Sequence, residues 1–343
     1  MNSERIIELA KAFTGAAGVA GREAAAAEVA LQYLSSMGEV SISPLGSVSC
    51  TVCSGSADAP HIMLEAHLDR IGLVVSRLEE NGFLRIAGIG GLDRRLLPAA
   101  PVTVHTAQGD HSGVICSVPP HLADEKDKPL KIEELSVDTG FSTEEAREIF
   151  HAGDIITLDS SFLPLAEGRI ACAAMDDRIG CVAVLAAAEE LKKSPTRCRV
   201  TLLFSVQEET GGAGARTSAF ALHPSEAIAV DVSFGAGFGS PAEKCGKMGG
   251  GVMVGVAPIL NRAMTKQLIA LAEKSDIPYQ TEVMGGSTGT DSDGIAIAAQ
   301  GIKTALLSIP LRNMHTVVET VAVEDVLSTA RLMVEYVKEV SAR

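Results

Sequence analysis

The chain has 343 residues, enough for one large domain or two ordinary ones at roughly 150 residues per domain. Hydrophobic residues make up 46% and charged residues 21%, a globular balance that can fill a sizeable core and excludes extensive disorder. Lys and Arg number 29 against 43 Asp and Glu, and the net charge of −14 repels phosphate backbones and anionic lipid, which argues against nucleic-acid or membrane-surface binding. No apolar run reaches the ~18–20 residues of a membrane span. The opening MNSERIIELAKAF is mixed in charge and amphipathic, unlike a signal peptide. Seven scattered cysteines include one isolated Cys-x-x-Cys, Cys50 to Cys53, whose alternating apolar neighbours read as a strand. A reduced, cytoplasmic protein is the expectation. Nine Phe, three Tyr and no Trp leave few flat faces for a sugar ring or a nucleobase.

In chain order, Ser3 to Phe13 and Arg22 to Met37 carry apolar residues at helical spacing, with Gly38 as a stop. Short strands are expected at Val40 to Ile42 and Val48 to Cys53, then a buried strand, His61 to Glu65, entering Ala66-His67-Leu68-Asp69. From about Gly72 to Leu165 short β-type runs (GLVVSRL, FLRIAGI, PVTVHTA, SGVICSV, IITL) are separated by turn signals at Asn81-Gly82, Gln108-Gly109-Asp110 and Pro119-Pro120. One helix, Ser142 to Phe150, opens there on a capping box of Ser142 with Glu145.

Alternation of helix and strand then returns. Helices are expected at Arg178 to Lys193, Asn261 to Ser275, Asp293 to Gln300 and Val323 to Val340, and strands at Arg199 to Val206, Ala227 to Asp231 and Thr304 to Ile309. The fold class that follows is α/β: a three-layer α/β/α catalytic domain on a mostly parallel or mixed sheet, plus an inserted small β domain. Residues 1–70 and 166–343 form the first in this reading, and 71–165 the second.

Polar residues able to hold a metal fall where the apolar strands end: His67 and Asp69 after HIMLEA, Glu208 and Glu209 after VTLLFSVQ, Asp231 after AIAV, and His315 after ALLSIPLRNM. Asp176-Asp177 opens a helix. In an open α/β sheet ligands bind beyond the carboxyl ends of the strands. Two histidines with several carboxylates suit a pair of divalent cations such as zinc, cobalt or manganese. Each group alone has an ordinary explanation: His67 as a structural hydrogen-bonder, the Asp pair as a helix cap, the Glu pair as surface. The functional reading rests on their occurring together.

AHLDRIG, AMDDRIG, VQEETGGAGA, the strand ending VDVS, GTDSDG and SIPLRNMHT together resemble the tetrahedral aminopeptidases of the glutamyl aminopeptidase family of dinuclear metallopeptidases, a family also labelled cellulase-like. VPPHL (Val118 to Leu122) and LSVDTG (Leu135 to Gly140) extend the resemblance into the β segment. It implies His67 and Asp231 on one metal ion, Glu209 and His315 on the other, Asp176 bridging both, Glu208 as general base, and Asp69 hydrogen-bonded to the second nitrogen of His67. It also implies short peptide substrates, dimers made through the inserted β domain, and a hollow tetrahedral dodecamer. Because neighbouring strand residues point to opposite sides, presenting both Glu208 and Glu209 needs a bend at the strand end. The glycine-rich stretch after Asp231 lacks the acidic and His residues common in the family there and borders the expected substrate pocket. Rival readings are a related metal-dependent deacylase or carboxypeptidase, a glycan hydrolase using the Glu pair, and a catalytically silent scaffold.

Overall fold

A computed structural model of the chain describes residues 1–56, 59–118, 121–122, 130–194 and 196–342. The turn expected at Pro119-Pro120 lies outside them. Two helices open the chain, α1 (Ser3–Thr14), capped by the Asn2 side chain, and α2 (Ala24–Leu34). Strands β1 (Glu39–Ile42), β2 (Val48–Cys53) and β3 (His61–His67) follow.

The next strands are β4 (Gly72–Leu78), β5 (Leu84–Ile89), β6 (Pro101–Thr106), β7 (Gly109–Ile115) and β8 (Ser136–Asp138); helix α3 (Thr143–Ile149) precedes β9 (Ile155–Leu158). These strands close into a barrel in the order β4-β5-β8-β7-β6-β9, around Leu73, Val75, Ile86, Val104 and Ile156. Closure removes the free edges that so short a sheet would otherwise expose. Ser142 and Glu145 make the reciprocal capping box, each accepting the other's main-chain N–H. Gly82, at the Asn81-Gly82 turn, takes φ 80°, where a side chain would be strained.

The remaining elements are β10 (Leu163–Pro164), β11 (Arg169–Cys172), α4 (Met175–Leu191), β12 (Arg199–Ser205), α5 (Ala213–Leu222), β13 (Glu226–Phe234), β14 (Val252–Val256), α6 (Arg262–Lys274), β15 (Tyr279–Val283), α7 (Asp291–Ala296), β16 (Lys303–Arg312), β17 (Glu319–Ala322) and α8 (Val323–Ser341). Eleven strands form one mixed sheet along β1-β2-β12-β3-β13-β16-β17-β11-β10, with β14 and β15 branching from β16. Its centre, β12-β3-β13-β16, is parallel throughout.

Strand periodicity divides the core. Ile62, Leu64, Val200, Leu202 and Ile228 pack on one face with the apolar side chains of α1, α4, α6 and α8. Met63, Leu203, Ala227 and Ala229 pack on the other with Ala215, Ala219 and Ile295 of α5 and α7. The fold is therefore three-layer α/β/α, with the barrel beside it. Helix α4 is buried almost along its whole length, as expected of a helix apolar on every side.

Several details differ from the sequence reading: α2 ends at Leu34 rather than Met37, and α7 spans Asp291–Ala296 rather than Asp293 to Gln300. Strand β13 continues three residues past Asp231 because β16 keeps pace with it, up to the pair Phe234 and Leu311. Helix α5, which begins within VQEETGGAGA, goes unmarked in the sequence reading because its small residues carry little periodic signal. Strands β11, β14, β15 and β17 are short or lie toward the sheet margin and also go unmarked.

Candidate metal centre

His67 ends β3, and its register partner Ser205 ends β12. Beyond Ser205 the chain reverses through Gln207 at φ 63° into a 3-10 turn, Glu208–Thr210. This is the bend needed to bring both glutamates inward. The N–H groups of that turn are satisfied by one side chain: Asp69 accepts Glu208 N–H at 3.0 Å and Glu209 N–H at 3.1 Å. Asp176 stands at the head of α4, after Ala174 at φ 60°, and is joined to Asp177 by a cis peptide. His315 lies in the bend between β16 and β17 at φ 61°. Glu319, opening β17, ties these two segments together by accepting His315 N–H at 2.8 Å and Asp176 N–H at 3.2 Å.

Asp176 faces both histidines. Its Oδ1 is 3.3 Å from His67 Nε2 and its Oδ2 is 3.2 Å from His315 Nε2. Glu209 Oε1 lies 3.5 Å from His315 Nε2, and Glu208 Oε2 lies 3.9 Å from His67 Nε2. Two groups of potential ligand atoms result, each within 4.8 Å: His67, Asp177 and Asp231, and Asp176, Glu209 and His315. The distal nitrogens are anchored as well. His315 Nδ1 donates to the carbonyl of Gly91, in the barrel, at 2.8 Å. His67 Nδ1 is 3.1 Å from the carbonyl of Asp69 and 3.5 Å from its carboxylate. Asp69 thus holds the imidazole mainly through its main chain and spends its side chain on the Glu208-Glu209 turn.

The carboxylates are crowded and largely dry. Burial, then Asp291 and Asp176 as like charges, pushes Glu208 up to about 7. Burial and Asp176 push Glu209 up to about 8, and burial with Asp177 takes Asp231 well above the usual carboxylate range. Burial also works against ionising Asp176, yet its bonds to His315 and His67 outweigh that and hold it down to about 2. His315 rises to about 9, chiefly through its bond to Asp176, while His67 rises well above normal despite burial because Asp176 and Asp69 flank it. Asp177 Oδ2 and Glu209 Oε1 are buried with no hydrogen-bond partner. Two imidazoles, several carboxylates and orphaned oxygens fit divalent cations, which would displace the imidazole protons and relieve the repulsion.

All seven residues singled out in the sequence converge here. Asp231 reaches the site from within its strand rather than from the strand end. Three contributors were given no role in the sequence reading: Asp177, named there only as half of the Asp pair, Glu319 as a brace, and a buried hydroxyl-carboxyl group beneath the site. In the last, Ser205 Oγ lies 2.7 Å from both Glu65 Oε1 and Asp291 Oδ2. The Asp pair of AMDDRIG and the GTDSDG motif signalled the first and last; nothing local marks Glu319.

A parallel-centred sheet with imidazoles and carboxylates at its carboxyl rim has the make-up of a metal-dependent hydrolase. Residues 46–332 match the model of the M42 glutamyl aminopeptidase family, to which the chain belongs. It is 37% identical to a lysyl aminopeptidase of Pyrococcus furiosus over 86% of this chain and 85% of that one. Among solved structures it is similar to an aminopeptidase from Desulfurococcus kamchatkensis, with TM-score 0.93 and 34% identity over 98% and 95% of the two chains. It is also similar to the TET1 peptidase of Pyrococcus horikoshii, which assembles into a tetrahedron or a large octahedral shell, with TM-score 0.87 and 31% identity over 96% and 98%. The chain is a metal-dependent aminopeptidase, a hydrolase of peptide bonds.

Proposed function

We propose that this enzyme releases the N-terminal residue of short peptides at a centre for two divalent cations. The observation that carries the reading is the orientation of Asp176, with one carboxylate oxygen toward each histidine. A carboxylate so placed would offer one oxygen to each of two cations. His67 and Asp231 would complete one site, with Asp177 in the same group of ligand atoms; Glu209 and His315 would complete the other. Zinc, cobalt and manganese all suit this donor set. Bound there, the cations would supply acidification of a water molecule and polarisation of the scissile carbonyl.

Glu208 lies 3.9 Å from His67 Nε2 and belongs to neither group of ligand atoms, so it is free to act as a base. Its partly buried carboxylate, raised by its acidic neighbours, takes a proton from water and returns it to the leaving amine. Asp69 fixes where Glu208 and Glu209 stand. Glu319 fixes the spacing between Asp176 and His315. Gly91 orients the His315 ring.

Residues 71–165 serve in this reading as the inserted β domain through which dimers form, and the dimers assemble into a closed dodecamer that admits unfolded peptides. All seven cysteines are free thiols, which supports a reducing, cytoplasmic setting. Among the described residues no helix is long and apolar enough to cross a membrane.

Metal analysis alongside hydrolysis of one peptide with a free amino terminus and the same peptide N-acetylated tests the chemistry. The free peptide should be cut in proportion to divalent metal content, and the acetylated one should resist. Hydrolysis persisting in chelated, metal-free protein would end the two-cation reading. Light scattering tests the assembly, for which a monomer at micromolar concentration is the contrary result.

A further inference from the structure

The metal centre opens into a cavity of about 480 Å³ walled in part by Val232, Phe234, Met284, Leu306 and Met314. No lysine or arginine lines it, and one of its acidic residues, Glu282, belongs to none of the groups assigned above. Glu282 sits on β15, paired in register with Gly255 of β14. Extending the register of β14 with β16, in which Met253 faces Ser308 and Val254 faces Leu307, sets Gly255 opposite Leu306. Glu282 nonetheless reaches across β14 to Ser308 on β16.

Two hydroxyls aim its carboxylate. Oε1 accepts from Ser233 Oγ, and Oε2 accepts from Ser308 Oγ at 2.8 Å. Ser308 is the register partner of Asp231, and Ser233 lies two residues beyond Asp231 on the same face. A two-residue strand repeat is ~7 Å, so both serines are near neighbours of the metal centre. Hydroxyl donors orient the carboxylate without cancelling its charge, and further lone pairs stay free to face the cavity. Among the described residues Glu282 has no ion-pair partner within the protein.

We propose that Glu282 is the specificity-determining residue and that the enzyme selects peptides whose first residue is cationic, lysine or arginine. This rests on the aminopeptidase reading above. The long stem of such a side chain packs along Met284, Leu306 and Met314, as basic residues do on apolar surfaces, while its head reaches the carboxylate. An N-terminal Glu or Asp would bring like charge onto Glu282 and be rejected.

The test compares kcat/KM for lysyl, leucyl and glutamyl chromogenic amides on the metal-loaded full chain, wild type against Glu282→Gln and Glu282→Lys. Wild type should prefer lysyl. Glu282→Gln keeps an acceptor for the serines and should lower the lysyl-to-leucyl ratio at least ~30-fold, chiefly through KM. Glu282→Lys should turn the preference toward glutamyl. Calorimetric titration of free L-lysine should lose affinity in Glu282→Gln in parallel, and circular dichroism verifies folding. A wild type that prefers leucyl or glutamyl, or a Glu282→Gln ratio within threefold of wild type, overturns the assignment while leaving the aminopeptidase reading intact. Loaded wild type that cuts none of the three amides overturns both.

Discussion

The side chain of Asp69 accepts the main-chain N–H of Glu208 at 3.0 Å across 139 residues of sequence. Its second oxygen does the same for Glu209, and Asp69 itself is fully buried. One residue at the exit of β3 therefore sets the turn that presents the proposed base and its neighbouring ligand. Asp69→Ala strands two part-buried donors, each worth ~1–3 kcal/mol when left unpaired. The expected result is a loss of at least ~2 kcal/mol in chemical denaturation, together with a fall in kcat. Asp69→Asn, which keeps one acceptor, should fall between that variant and wild type on both measurements.

Glu208 and Asp176 should fail in different ways. Glu208→Gln preserves size but removes the base, so kcat should drop ~10²–10⁴-fold with metal content unchanged. Asp176→Ala removes the carboxylate shared by both histidines, so metal content itself should fall and activity with it. Elemental analysis beside turnover separates the two. Near-normal turnover in Glu208→Gln would remove Glu208 from its proposed role.

Two neighbouring buried arginines should respond oppositely to the same substitution. Arg178 donates to the carbonyls of Leu68 at 3.0 Å, Phe13 at 2.7 Å and Gly18 at 3.4 Å, and also to that of Ala16. Arg178→Met should cost at least ~3 kcal/mol in denaturant titration, because it abandons several buried acceptors. Arg70 is 8% exposed, its Nε has no partner, and no ion pair of Arg70 occurs among the described residues. Burial lowers its pKa, and its charge in turn helps burial draw Arg178 down to about 9. Arg70→Met should be neutral within ~1 kcal/mol, or stabilising.

Acid sensitivity should trace in part to His61, well away from the proposed ligands. Burial, then the charge of Arg199, lowers its pKa from 6.5 to about 4, while its Nε2 sits 2.9 Å from Thr201 Oγ1. The unfolded chain therefore takes up this proton first as pH falls. Its contribution to stability is fully present above pH 6.5 and is lost as pH drops toward 4. Discounting for partial exposure, about 1–2 kcal/mol should disappear across that window. His61→Gln should flatten this part of the stability-pH curve.

Strands with strong alternation and helices with caps were legible in the sequence. Val48 to Cys53 has the observed ends, and the Ser142 box starts α3 one residue later. What escaped was decided by partners rather than by local pattern. Nothing in AIAVDVSF says that β13 should outrun Asp231, since β16 beside it sets that length. The candidate ligands were legible because His, Asp and Glu cluster at motif positions. Glu319 was not, because a carboxylate accepting two main-chain N–H groups has no sequence signature. Glu282 was hidden in YQTEV, an edge strand whose alternation is too weak to register, and it becomes meaningful only once Ser233 and Ser308 are seen beneath it.

The carbonyl of Gly91 belongs to the barrel, whereas the imidazole it orients belongs to the main sheet. A side chain on Gly90 would meet Ile71 and approach Glu209, and one on Gly91 would meet the ring of His315. The barrel is thus a structural part of the active site, and it cannot be exchanged between relatives as an interchangeable cassette. A graft that imports a foreign barrel must carry over the Gly90-Gly91 loop at the same height, or the recipient inherits a histidine whose tautomer nothing dictates.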